Sequence, residues 1–192
     1  MTTMKYATLD LGTIEAVFNK LGGLEGAKRF LSGTAEVVLK SILSLVNGKI
    51  ASDAIKTFDP YVFYEVRDGL WIGDFFRDNV LAKAASVKNL PATTLKSFEL
   101  TKNAYDRDIT ACLPQNYEFD ISEALARIAQ IIEQQPNGKE GDLLNNGYAN
   151  LFYVPGYVVR VSWGADCRSW GVGAWERDDD GWSAGFRVFV RN

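Results

Sequence analysis

The side chains able to do chemistry in this chain are its acids, two thiols and five tryptophans, for it contains no histidine. Without imidazole it lacks the commonest general base near neutral pH. Ser-His-Asp and Cys-His mechanisms are therefore excluded, as is any zinc site built on histidine. Asp106 and Asp108 flank Arg107. Paired carboxylates serve as acid and base when their surroundings push their pKa values apart. Nothing in the neighbouring residues signals burial, and aspartate at a helix start ordinarily caps it. A carboxylate-dependent hydrolase acting on sugars or phosphoesters would need two acids, such as Asp106 and Asp178, to meet in one pocket. Asp178, Asp179 and Asp180 run consecutively into Gly181, whereas a calcium loop alternates its ligands and ends on a distant glutamate. The run reads as a solvated hairpin tip, and no metal is expected.

Cys112 and Cys167 have no histidine to activate them, so a reactive thiolate would need a lysine, an arginine or a helix N-terminus. Arg168 adjoins Cys167, but two cysteines are too few for a disulfide framework, and both are expected as inert reduced thiols. Gly48-Lys49 and Gly138-Lys139 lack the glycine spacing of a phosphate loop, and no cofactor is expected. Four of the five tryptophans, Trp163, Trp170, Trp175 and Trp182, follow residue 147. Aromatic rings stack on sugars and bases, and they also fill the cores of sheets. Trp163 alternates with Val159 and Val161 and belongs to the core. Trp170 and Trp175 have opposite parity, so an unbroken strand cannot bury both on one face. One of them must lie on the less buried side, as a contact surface or beneath a helix.

With 192 residues, 47% of them hydrophobic, the chain can bury a core without metals or disulfides. It is read as a single compact domain over residues 1–192. A formal net charge of −3 and a pI near 5.1 weigh against broad attraction to nucleic acid or anionic membranes. The acidic excess sits in residues 51–147, with ten basic against fifteen acidic residues, while residues 1–50 carry six against four. No apolar run approaches the roughly 18–20 residues of a membrane helix. The opening MTTMKYATLDLGTIE has no charged stretch followed by an apolar one, so no signal peptide is expected. The expectation is a soluble cytoplasmic protein without membrane association.

The elements that must position these side chains fall into two styles. Residues 1–50 read as a helical segment. Thr13 caps a helix running to Leu21, with Ile14, Val17, Phe18 and Leu21 on one face, and Gly22-Gly23 stops it. A second helix turns Leu24, Ala27, Phe30 and Leu31 inward before Gly33. Such a pair invites a helix-turn-helix reading with Lys28 and Arg29 facing DNA, but two basic residues neutralise little phosphate, and a packing hairpin is preferred. Residues 34–60 mix β-branched residues and helix formers and are read as helix, with Asn47-Gly48 either a hairpin turn or a helix stop.

From Tyr61 onward YVFYEV reads as a strand, Asp68-Gly69 as a turn and LWI as a short returning strand. Asp74 then caps a helix holding Phe75, Phe76, Val80, Leu81 and Ala84, and SFELT forms a strand. Asp120 and Glu123 open a helix as a capping box, with Ile121, Leu125, Ile128 and Ile132 buried and Pro136-Asn137-Gly138 ending it. Residues 148–192 predict a C-terminal four-stranded β-meander. Pro155-Gly156 forms a type II turn, Tyr157, Val159, Val161 and Trp163 oppose Arg160 and Ser162, and Asp180-Gly181 makes a hairpin. Phe186, Val188 and Val190 then oppose Arg187 and Arg191.

The blocks IEAVFNKLGGLEGAKRFLSG, LWIGDFFRDNVLAKA, LLNNGYANLFYV and WSAGFRVFVRN cover about a third of the chain. In them the sequence resembles a recurrent group of uncharacterised bacterial proteins. The resemblance implies a bacterial or phage origin and assigns no functional residue. The expected fold is α+β, a helical N-terminal segment packed with an antiparallel sheet that ends in the meander. The expected function is a non-enzymatic module that binds another protein, with Trp170, Trp175 and Arg187 as contact residues because aromatic rings and arginine dominate interface energetics. The alternatives are the carboxylate hydrolase and nucleic-acid binding through the N-terminal hairpin.

Overall fold

The computed structural model describes residues 10–34, 41–46, 49–65, 67–178 and 181–191. They divide into two compact units, Met1–Lys40 and Ser41–Asn192.

In the first unit, helix α1 (Leu11–Lys20) begins one turn earlier than Thr13 suggests. Asp10 is the cap, its Oδ1 accepting the Thr13 amide at 2.6 Å. Gly22, at φ +88°, turns the chain into α2 (Gly23–Leu31). Of the α2 residues expected inward, Ala27 is buried beside Gly26, while Leu24, Phe30 and Leu31 are 60%, 43% and 80% exposed. Lys28 pairs with Glu25 at 2.9 Å, so part of the small basic face proposed for DNA is already neutralised.

The second unit opens with three short strands where a helix was expected: β1 (Leu43–Leu45), β2 (Ile50–Ser52) and β3 (Ile55–Phe58). Asn47-Gly48 lies outside the described residues. The strand expected from YVFYEV is likewise replaced. Asp59 caps Tyr61, and Pro60 opens a 3-10 turn (Pro60–Phe63) that buries Phe63 against Phe58 and Phe76. Strand β4 (Leu70–Ile72) follows the Asp68-Gly69 turn. Helix α3 (Asp74–Asn79) has Gly73 at its cap, so Asp74 sits in the first turn and pairs with Arg77 at 2.8 Å.

Next come β5 (Val87–Leu90), β6 (Thr93–Leu100), β7 (Ala104–Tyr105) and α4 (Asp106–Thr110). Helix α5 (Ile121–Gln134) starts where its apolar period predicts. Asp120 caps it by accepting the amides of Ser122 and Glu123, while the Glu123 carboxylate turns to Arg127 and Arg191 instead of completing a capping box. The chain then forms β8 (Asn150–Val154), β9 (Tyr157–Gly164), β10 (Ser169–Glu176), β11 (Gly181–Trp182) and β12 (Arg187–Arg191). Gly156, at φ +78°, supplies the left-handed position of the β8–β9 turn. Asp180, at the hairpin expected before Gly181, lies outside the described residues.

The fold is α+β, and its C-terminal strands form the meander. They belong to a mixed eight-stranded sheet ordered β1-β6-β12-β8-β9-β10-β4, with β2 also on β6. Strand β12 joins the meander on the β8 side, in parallel, and β4 pairs in parallel with β10 as the terminal strand. The sheet is packed on both faces. On one, Val159, Val161, Trp163, Trp170 and Val172 meet Leu125, Ile128 and Ile132 of α5. On the other, Leu151, Tyr153, Val158, Val188 and Val190 meet Ile109 and Trp182. All five residues of β8 are buried, as expected for a strand covered from both sides. No helix among the described residues is long and apolar enough to cross a membrane.

Candidate functional site

The second face is covered only in part. Along β4, β10 and β9 the register aligns Trp71 with Gly171 and Ser162, and Gly173 with Arg160. Parity places these residues with Trp175 on the face opposite Trp170. Here two clefts of about 400 and 200 Å3 share Trp71, Gly173 and Trp175 in their walls. The first continues to Phe75 and Glu176, the second to Arg160, Ser162, Cys167 and Ser169.

The glycines make this trough possible. A Cβ on Gly173 would stand 3.0 Å from Cζ3 and 3.2 Å from Cη2 of Trp175, and one on Gly171 would stand 3.5 Å from Cε3 of Trp71. Each indole thus leans over a bare stretch of backbone. Trp175 also meets Trp182 edge-on at 5.9 Å, so it marks the border between covered and open sheet. Trp71 is 61% exposed and Phe75 is 41% exposed. Mostly apolar walls with a few polar groups are the ordinary composition of a binding site.

Arg160 is the charged group of this surface. Its guanidinium lies 5.6 Å from the Trp175 ring centroid. Its Nε is buried without a hydrogen-bond partner, and burial pulls its pKa below the ordinary arginine range.

The residues expected as contacts separate. Trp175 lines the trough. Trp170 does not: it is 1% exposed, meets Trp163 edge-on at 5.4 Å and donates Nε1–H to the Gln135 carbonyl at 2.9 Å. That corrects its assignment as a contact, because the even positions of β10 face α5. Arg187 is also displaced from the site. It lies three strands away on the α5 face and donates Nη1–H to the Asp142 carbonyl at 2.9 Å. Trp71 was missed. Its signal was present in LWI, where two aliphatic flanks facing inward turn the central residue outward. Phe75 was expected inward and instead lines the trough beside Phe76, which is the buried partner.

The acids take a different course. Asp106 and Asp178 do meet in one cleft, with Tyr117 and Arg177. Asp106 is 1% exposed, which overturns its reading as a solvent-side cap. Its Oδ1 accepts from the Tyr153 hydroxyl at 2.7 Å and the Trp182 indole at 2.5 Å, and its Oδ2 accepts from the Asp178 amide at 2.9 Å. Burial, followed by the adjoining carboxylate, pushes the Tyr153 pKa up, so this hydroxyl stays a donor. A carboxylate closed off from water and accepting from three protein donors positions α4 and is not presented to a substrate. Asp179 and Asp180 lie outside the described residues, and among the described residues no group of acids and thiols is arranged to hold a metal. Cys112 and Cys167 are both free and exposed. Comparison with protein-family models, with curated proteins and with solved structures returns no match for this chain.

Proposed function

We propose that the chain is a non-enzymatic binding module that holds a segment of a partner protein in the trough along β4 and β10. The observation that carries this reading is Trp71, an indole 61% exposed on the terminal strand and joined to Trp175 across a floor of two glycines. A tryptophan covers roughly 150–250 Å2 when buried, and it is the side chain most enriched at interface hot spots. The commitment of Asp106 to protein donors favours binding over carboxylate catalysis. The module works in the cytoplasm, in keeping with two exposed thiols that form no disulfide.

The test is capture from a nuclease-treated native lysate by the wild-type protein, Trp71→Ala and Tyr61→Ala. Tyr61 is an equally exposed ring outside the trough, 63% accessible. A protein retained stoichiometrically by wild type and Tyr61→Ala but lost from Trp71→Ala is the expected result. Equal retention by all three overturns the assignment of the trough.

A further inference from the structure

We infer that the partner segment carries an aspartate or glutamate that pairs with Arg160, next to an apolar side chain seated against Phe75, Trp71 and Trp175. This rests on the trough being the binding site. Its basis is that Arg160 is the arginine lining the trough and it has no counter-ion there. Arg77, Arg107, Arg127, Arg177 and Arg191 each have a carboxylate within 4.0 Å. Among the described residues Arg29, Arg67, Arg168 and Arg187 have none but line neither cleft of the trough, and Arg187 donates to the Asp142 carbonyl instead. Arg160 has none among the described residues, and its contact is the face of Trp175. A partly buried guanidinium without a counter-ion is costly, because lost hydration is not replaced. A carboxylate arriving from a partner supplies that replacement through charge-assisted hydrogen bonds in the planar geometry guanidinium prefers.

The surroundings select among anions. A phosphate carries close to −2 charges and is ordinarily bound by clusters of arginines, whereas Arg160 is one cation. Glu176 stands on the rim of the adjoining cleft and disfavours a second negative charge. A single carboxylate matches the site. The apolar neighbour follows from that adjoining cleft, where Trp71, Phe75, Phe76, Ala174 and Trp175 form the walls. Because β4 ends the sheet, the trough opens past its edge and admits a linear segment.

The experiment is selection of a phage-displayed library of random linear peptides on the wild-type protein, on Arg160→Gln and on Trp71→Ala. Wild type is expected to enrich peptides with an acidic residue beside an aromatic or aliphatic one, and Arg160→Gln to lose the acidic preference while keeping the apolar one. A synthetic peptide from the selection is then titrated onto wild type beside its Glu→Gln or Asp→Asn twin. The acidic form should bind about tenfold tighter or more, a comparison that does not depend on how any variant folds. Peptides that bind through Trp71 with no acidic preference overturn this inference and leave the binding module standing. Failure of wild type to enrich any peptide above Trp71→Ala overturns both.

Discussion

Asp106 and Asp178 lock two distant segments together by reciprocal capping. Oδ2 of Asp106 accepts the Asp178 amide at 2.9 Å, and Oδ1 of Asp178 accepts the Arg107 amide at 3.1 Å. The pair closes β7–α4 against the end of β10, and the buried Asp106 with Tyr153 and Trp182 forms a polar centre in the second core. Replacing Asp106 with Asn sets an amide donor against one of three donors that need an acceptor. The expected loss is about 1–3 kcal/mol, read as a lower urea midpoint with an unchanged slope.

Tyr153 makes the stability pH-dependent at the alkaline end. Its folded pKa is raised by burial and then by Asp106, so the folded protein keeps a proton that the unfolded chain releases near pH 10. The contribution is complete below the unfolded value and declines as pH rises past it. Tyr153→Phe should therefore flatten the fall in stability above about pH 10. The absorbance at 295 nm should show the Tyr153 increment in wild type only on unfolding.

Glu123 joins two arginines, accepting from Arg127 at 3.2 Å and also from Arg191. Arg127 is almost wholly buried, and its remaining donors reach Ser52 Oγ at 2.6 Å and the Pro91 carbonyl at 3.1 Å. Glu123→Ala leaves that cation without its carboxylate. The cost should be about 3 kcal/mol, whereas the double variant Glu123→Ala with Arg127→Met should recover part of it in chemical denaturation.

Trp71 and Trp170 should behave as opposites. Trp170→Ala removes a buried ring together with its bond to Gln135 and should cost about 3–5 kcal/mol. Trp71→Ala, at the exposed edge, should shift stability by about 0.5 kcal/mol or less while abolishing partner capture. A large melting-temperature loss in Trp71→Ala would mean that its ring is structural.

The glycine floor offers a finer probe. Gly173→Ala brings a methyl to within 3.0 Å of the Trp175 ring, while Gly171→Ala keeps an ordinary 3.5 Å spacing to Trp71. Gly173→Ala is expected to displace the Trp175 indole and weaken capture, with Gly171→Ala close to wild type. The resolved indole N–H signals in a heteronuclear NMR spectrum would report the displacement directly.

Local signals were legible wherever one physical cause dominated. The period of Leu125, Ile128 and Ile132 together with Asp120 at the cap sufficed for α5. The alternation of Val159, Val161 and Trp163 sufficed for the inner face of β9, and the opposite parity of Trp170 and Trp175 correctly required one ring to leave the core. In these segments the backbone repeat and the apolar pattern agree, so no distant residue is needed to interpret them.

Elsewhere the deciding partner lies far along the chain. Leu43 and Ile50 are in strands because Leu100 and Leu95 pair with them, which outweighs the weak helical propensity of their neighbours. Asp106 is buried because Tyr153, Trp182 and Asp178 converge on it, and nothing within a few residues of it carries that information. The same holds for the trough. Composition alone rules out histidine chemistry in this chain, and the spacing of Trp170 and Trp175 turns one of them away from the core. Only the parallel pairing of β4 with β10 sets Trp71 beside the Gly171–Gly173 floor. Register between strands about a hundred residues apart is settled by long-range hydrogen bonds and packing, not by local sequence.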